Sequence, residues 1–420
     1  MIGLSGLALQ SLWNRRGTAL LTLLSLTLAV TLLIGVEKIR TEARDGFYAS
    51  VSGTDLIVGA RTSPVQLLLA SVFRLGDAPA NVSYETFELI SSHPLVAWSI
   101  PISLGDSHRG YRVLGTNDAY IEHFRFSRGR SLEVADGAWF DDLFDVVLGA
   151  EVAAELGYAV DDSLVLSHGT QAVSFAEHDA LPFRVSGVLA RTGTPVDRTL
   201  HVSLEAIEAI HIGWESGVQL PGQEVDAEGA RTADLTPESV TAFLLGLQSR
   251  AAVLRIQQAV NVYPHEALSA ILPAVAMQQF FSLVGVAEDA LLVVSGFVVL
   301  VGLAGMMTML LATLSERRRE MAILRSVGAR PVHVFALLVA ESLVLTVIGA
   351  VLGLLCVQLL VIGTGPLLEA LAGIRFEAGW PTLREWQLLA AVIGGGTLVS
   401  LVPGVLAYRR SLADGLTVRL

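Results

Sequence analysis

Asp141, Asp142 and Asp145 lie within five residues of one another, and Asp161 and Asp162 are adjacent. Carboxylates grouped in this way suit general acid–base work or a hard cation, provided histidines or further acids complete the set. Neither group has a histidine at motif spacing, and the histidines from His93 to His265 form no HxH or HxxxH pair. Scattered, individually satisfied imidazoles describe them better than a metal centre does. Of the 28 basic residues only Lys38 is a lysine, and it sits in GVEKIR. A P-loop needs a lysine directly after its glycine-rich turn to reach the phosphates, so these residues carry no Walker A site. HExxH is absent too, and the one cysteine, Cys356, lies in an apolar run as an inert small hydrophobe. No catalytic constellation, metal site or bound cofactor is expected in the chain itself.

The densest chemistry here is charge. LSERRREMAILRSVGARPVHVF, residues 314–335, holds five arginines within fourteen residues, between two of the most apolar stretches of the chain. After Arg317, Arg318 and Arg319, the apolar residues Met321, Leu324 and Val327 recur three apart, and Ile323 and Val327 four apart. Glu320 and Arg325 flank this stripe, and Gly328 is placed to end a helix as its C-cap glycine. A short helix with one apolar face and a charged border suits docking into a groove of a partner protein. The arginines alone would equally serve as topology anchors.

The elements around this segment follow from composition. The chain is 52% hydrophobic and only 16% charged, with a mean hydropathy of +0.59; a soluble domain carries about a quarter charged residues. Residues 17–36, GTALLTLLSLTLAVTLLIGV, are twenty in a row without a charge, enough to cross a hydrocarbon core about 30 Å thick. Their length, and the lack of a small-x-small cleavage site before EKIRTEAR, argue for an uncleaved anchor over a signal peptide. Residues 290–314 form a second uncharged run, and 332–362 a third, broken only by His333 and Glu341. Residues 386–408 form a fourth, with Gly394–Gly396 and a kinking Pro403. The fold class is therefore membrane α-helical, with four transmembrane helices and a large extracytoplasmic, or periplasmic, α+β domain at 37–289 inserted between helices 1 and 2.

Arginine sets the orientation. Residues 1–16, 315–331 and 409–420 together carry ten basic and three acidic residues, a net of +7, whereas 37–289 carry 33 acidic and 16 basic residues, a net of −17. By the positive-inside rule Arg15, Arg16, Arg317, Arg318, Arg319, Arg409 and Arg410 anchor the cytoplasmic side, so both termini and residues 315–331 lie inside. Residues 363–385 form an outer loop, and 409–420 a cytoplasmic tail. Leu4, Leu7, Leu12 and Trp13 suit an interfacial helix over residues 1–16, with a frayed terminus as the alternative.

Outside, EKIRTEARDGFYAS continues the first helix as far as Gly46, and residues 273–289 return as its partner, making a stalk. TDLIVGA, YRVLGT, FDVVLGA, DSLVLSHG and FRVSGVLA read as strands. PVQLLLASVFRL, SYETFELISSH, AEVAAELG and SLEAIEAIHI read as helices. The acidic stretch 222–238 reads as a flexible surface loop. Within the spans Glu341 is the only carboxylate; it is either functional or paired with a neighbouring helix end or an interfacial arginine. Gly349 and Gly353 form a small-xxx-small pair suited to close helix packing.

ERRREMAILRSVGA between two apolar helices resembles the signature string of the MacB/FtsX-like permeases, the type VII ABC transporter membrane subunits. Residues 144–189, RTGTPVDRTLHVSLEAI and the closing RRSLADGLTVRL resemble other parts of that family, as does the layout of four spans with one large outer domain. The resemblance implies a multi-pass protein of the bacterial inner membrane, paired with a second permease copy as a homodimer. It also implies two copies of a cytoplasmic ATPase that supply ATP and Mg. Residues 315–331 would be the coupling helix, and the outer domain would move with nucleotide, exporting or extracting a substrate on the outer side. An extracytoplasmic adaptor or binding protein, and membrane lipid, complete the expected partners; nucleic acid is not among them. The rival reading is a membrane sensor with an outer ligand-binding domain, which would usually carry a cytoplasmic output domain.

Overall fold

The computed structural model describes residues 16–127, 129–168, 181–213, 225–316, 328–372 and 379–413. Two compact units emerge. One comprises Met1–Glu42, Gly285–Leu367 and Phe376–Leu420; the other comprises Ala43–Val284 and Leu368–Arg375. We call them the membrane unit and the outer unit.

Four long helices run through the chain: α1 (Arg16–Ala49), α2 (Pro273–Glu316), α3 (Pro331–Ala372) and α4 (Leu383–Ala413). Among the described residues, these four are long and apolar enough to cross a membrane. In lipid every backbone group and hydroxyl must be satisfied internally. Two α1 hydroxyls comply by bonding back one turn, Thr22 to Thr18 O at 3.0 Å and Thr31 to Thr27 O at 2.8 Å, whereas the buried Thr27 hydroxyl has no partner among the described residues. Proline opens α2 and α3, where its missing N–H costs nothing. A reciprocal capping box opens α4: Thr382 N donates to Glu385 at 2.8 Å, and Glu385 N donates to the Thr382 hydroxyl at 3.3 Å.

The helices outrun the spans expected from hydropathy. As anticipated, α1 and α2 extend beyond 17–36 and 290–314 into the stalk sequences, and α1 passes Gly46 by three residues. The expected outer loop 363–385 is shorter, because α3 runs to Ala372 and α4 starts at Leu383. LLEALA consists of strong helix formers that propagate the helix after the apolar run has ended. Arg409 and Arg410, expected in a tail, lie within α4 for the same reason. Residues 1–15 of the proposed interfacial helix lie outside the described residues.

The core of the membrane unit is a set of helical stripes. Leu26, Ala29, Val30 and Leu33 of α1 meet Val299, Leu303, Met306 and Leu310 of α2, Leu345 and Val357 of α3, and Leu389 and Val392 of α4. The opposite faces stay apolar as well, as at Leu20, Leu24 and Leu28. A helix that is apolar all round belongs in lipid.

The outer unit is built on a mixed sheet. In chain order its main strands are β1 (Leu56–Ala60), β2 (Val96–His108), β3 (Tyr111–Thr116), β4 (Val134–Gly137), β5 (Asp145–Leu148), β6 (Phe183–Leu189), β7 (Thr199–Ser203), β8 (Ala242–Leu247) and β9 (Leu268–Ile271). They lie in the order β9-β1-β8-β2-β3-β7-β5-β6-β4. The pairs β3–β7 and β5–β6 are parallel and the others antiparallel. Successive side chains point to opposite faces. Leu114 and Val147 accordingly join one core with Leu68, Ile100 and Leu244, while their neighbours Val113 and Val146 join another with Val185, Leu200 and Ile207. The expected strand DSLVLSHG is reduced to two short pieces, Ser163–Leu164 and Ser167–His168. The expected loop 222–238 contains a helix, Ala227–Thr232, because Asp226 caps it by accepting from Gly229 N at 2.8 Å.

Candidate functional site in the helix contacts and stalk

Among the residues expected to couple to a partner, Arg317, Arg318, Arg319, Glu320, Met321, Ile323, Leu324, Arg325 and Val327 lie outside the described residues, as does Arg15. Gly328 is described. Its φ of +99° lies in the left-handed region that glycine adopts readily; the helix it is expected to cap lies outside the described residues. Immediately after it, Arg330 N donates to His333 Nδ1 at 2.9 Å, tying the chain down where α3 begins.

The small-xxx-small pair does bring two helices together. A Cβ added at Gly353 would lie 2.7 Å from Val30 Cβ, and one at Gly349 would lie 3.0 Å from Leu26 Cβ. The backbones of α3 and α1 are close enough for the Thr31 hydroxyl to donate to Gly353 O at 3.4 Å. A second close approach, missed in the sequence, joins α3 to α4. The Ser342 hydroxyl donates to Gly396 O at 3.1 Å, and Thr346 occupies the space a side chain on Gly396 would need. Within the glycine run 394–396, Gly396 therefore serves contact, whereas a Cβ at Gly394 would meet nothing within 4 Å. Glu341, next to Ser342 on α3, is fully buried in the membrane unit.

The stalk sequences pair within each unit. In the membrane unit, Arg40 of α1 reaches Glu288 of α2 at 3.4 Å and Glu37 at 3.6 Å, and Lys38 pairs with Glu42 at 3.0 Å. In the outer unit, the Phe47 ring packs against Phe280 at 5.7 Å and Phe281 at 5.9 Å, and the Arg44 guanidinium lies 5.0 Å from the Phe281 ring centre. The aromatic pairs in GFY and QFF are a sequence signal for this contact that the stalk reading did not use.

Three of the five aspartates that suggested chemistry, Asp142, Asp145 and Asp161, are tied to arginines instead. Arg231 donates to both oxygens of Asp142, at 2.6 and 2.8 Å, and holds that carboxyl below its usual range. Arg184 donates to Asp145 at 2.8 Å and reaches Asp161 at 3.7 Å, while Asp162 accepts from Ala159 N at 2.7 Å. His108 lies between Val165 O at 2.6 Å and the Tyr158 hydroxyl at 3.1 Å. His211 faces Asp106 at 3.6 Å, and His201 is wholly buried beside Tyr120 and Trp139.

Known proteins share this layout. A family model described as the MacB-like periplasmic core domain matches residues 19–260, and one described as the FtsX-like permease C-terminal matches residues 292–415. YknZ of Bacillus subtilis (strain 168), described as an uncharacterized ABC transporter permease, is 36% identical over 113 residues, 27% of this chain and 25% of that protein. The macrolide export ATP-binding/permease protein MacB of Nitrobacter winogradskyi is 25% identical over 410 residues, 93% of this chain and 56% of that protein. Escherichia coli MacB is 28% identical over 121 residues, 29% of this chain and 18% of its own length. The chain thus spans little more than half of the Nitrobacter relative and a quarter or less of the other two. The extracellular domain of the noncanonic ABC-type transporter YknZ from Gram-positive bacteria covers 51% of this chain and 98% of its own, with a TM-score of 0.30 and 13% identity. The periplasmic-core model alone matches more than half of the residues, so the chain belongs to the MacB/FtsX-like family of ABC transporter permeases.

Proposed function

We propose that this permease carries ATP-driven conformational change from a cytoplasmic ATPase, outside these 420 residues, to the outer unit, where a substrate is exported or extracted. The observation that carries this reading is helix continuity. The first and second spans run unbroken into stalk sequences, as α1 to Ala49 and α2 to Glu316 from Pro273. Arg40–Glu288 and the Phe47–Phe280–Phe281 group pair them along the way. A helix hydrogen-bonded along its whole length passes on a displacement that a loop would absorb. The named activity of the MacB relatives, macrolide export, and the ATP-binding function in their names support an ATP-driven partnership here. No glycine-rich loop with a following lysine occurs in this sequence, which supports a division of labour. Two ATPase copies would dock on residues 315–331 of two permease copies, with the apolar stripe Met321–Leu324–Val327 in the groove.

Substitution in that stripe tests the reading. Leu324→Glu would bury a carboxylate at a cost of several kcal/mol. Affinity-purified, normally inserted Leu324→Glu protein is expected to lose the vanadate-sensitive ATP hydrolysis that accompanies the wild type. Arg318→Gln keeps it, since two neighbouring arginines remain. Full hydrolysis accompanying Leu324→Glu would leave the arginines as topology anchors only.

A further inference from the structure

A cavity of about 480 Å³ opens in the outer unit between the end of α1 and the loops at 72–76, 110–112 and 193–199. Phe47, Phe73 and Leu75 give it an apolar wall, and Arg74, Arg112 and Arg198 a cationic one. Two of these cations already have acids. Arg112 donates to Asp77 at 3.1 Å, and Arg198 to Glu151 at 3.1 Å.

Arg74 differs. It is 9% exposed, its Nη2 donates to the Tyr120 hydroxyl at 2.9 Å, and its Nε and Nη1 have no hydrogen-bond partner among the described residues. Asp197, the carboxylate whose field also reaches Tyr120, spends both oxygens on the backbone of Thr192 and Gly193. A void of about 10 Å³ on the inner side of Arg74 has room for one water. One water can satisfy a nitrogen but leaves the charge uncompensated. Arg74 also holds a φ of +55°, an uncommon conformation for a residue with a side chain. Strained backbone and a buried, unneutralised cation on one residue at a cavity wall are features that a bound anion would explain.

We propose that this cavity binds an amphiphile bearing one acid group, carboxylate or phosphate, held against Arg74 with its apolar part over Phe47, Phe73 and Leu75. The volume falls within the range of small-molecule sites, and the mix of apolar walls with a few polar groups is typical of them. Neither a small inorganic anion nor a neutral amphiphile would use both walls. This goes beyond transmission of ATP-driven motion and does not depend on it.

Hydrogen exchange of the full chain in nanodiscs tests the site, with octanoate, octyl phosphate, octanol and inorganic phosphate as probes. At ten times its Kd a ligand slows exchange through ligand-blocked local opening by about tenfold. Octanoate and octyl phosphate are expected to protect peptides covering 43–50, 72–76 and 193–199, and octanol and inorganic phosphate to leave them unprotected. Arg74→Met should abolish the protection and Arg74→Lys retain most of it. Equal protection by octanol, or undiminished protection of Arg74→Met, would leave an apolar cavity only. Protection by inorganic phosphate equal to that by octanoate would make it a small-anion site. Both results overturn the proposal. If Arg74→Met fails to fold, the comparison of the four probes on wild type decides alone.

Discussion

His201 illustrates how one strand position sets a residue's chemistry. It lies in the middle of β7, wholly buried, with Nδ1 3.3 Å from Val147 O and its ring 5.4 Å from that of Tyr120. Burial, and then the nearby Arg74 cation, push its imidazole down to about 3. The folded state therefore keeps His201 neutral at pH values where the unfolded chain protonates it. Its stabilising effect is fully present above the unfolded value near 6.5, and is lost progressively as pH falls from there towards 3. At pH 5 the loss is about 2 kcal/mol. Asp197 and Glu151, whose carboxyls burial pushes up, act in the opposite sense over the acid range. Comparison with a variant separates the two. Unfolding of the full chain, followed by intrinsic tryptophan fluorescence between pH 7.5 and 5, should show a shallower acid limb for His201→Gln than for wild type. Parallel pH profiles would mean that His201 titrates normally. In the sequence His201 was one imidazole among several, because burial in a parallel strand pair depends on which strands meet, and no local spacing encodes that.

Helix contacts carry the next scale. Gly353 and Gly305 both sit inside long apolar helices, but the sequence offers a small-xxx-small partner, Gly349, only to Gly353. In the structure a Cβ at Gly353 meets Val30, whereas one at Gly305 meets nothing within 4 Å. Gly353→Ala is thus expected to destabilise the full chain by about 1–3 kcal/mol through overpacking, while Gly305→Ala should be neutral or gain up to about 1 kcal/mol from helix propensity. Thermal unfolding in the same detergent measures both, and equal midpoints for the two variants would contradict the close α1–α3 approach. The spans themselves were legible, since lipid demands a long uncharged run and little else. Their ends were less so, because LLEALA and the arginines after Tyr408 extend helices by propensity rather than hydropathy. The outer strands divided in the same way. YRVLGT and FRVSGVLA show dense apolar alternation, but β2 carries Pro101, Gly105 and Asp106 within VAWSIPISLGDSH and is held by pairing to β8 and β3. Pairing of that kind is context, not local propensity.

At the scale of the molecule, charge should decide which side of the membrane each part occupies. The segments 1–16, 315–331 and 409–420 carry a net of +7 and residues 37–289 a net of −17. Each arginine carried outward against a potential of 100 mV costs about 2.3 kcal/mol, so the reverse orientation would export several such charges at once. Four helices that all cross would return the chain to the side from which it started, and two would bring the arginine cluster to that same side. The structure supplies suitable reporters, because Ala80 and Ala233 are exposed in the outer unit. Single cysteines at these two positions, and at Ser326 next to Arg325, can be compared in a Cys356→Ala background. In right-side-out vesicles an impermeant thiol reagent should label the first two and spare the third; inside-out vesicles should reverse the pattern. Labelling at Ser326 in right-side-out vesicles would place the arginine cluster outside. That would remove the docking surface proposed for a cytoplasmic ATPase, whereas the acid-binding cavity, which is contained within the outer unit, would be untouched.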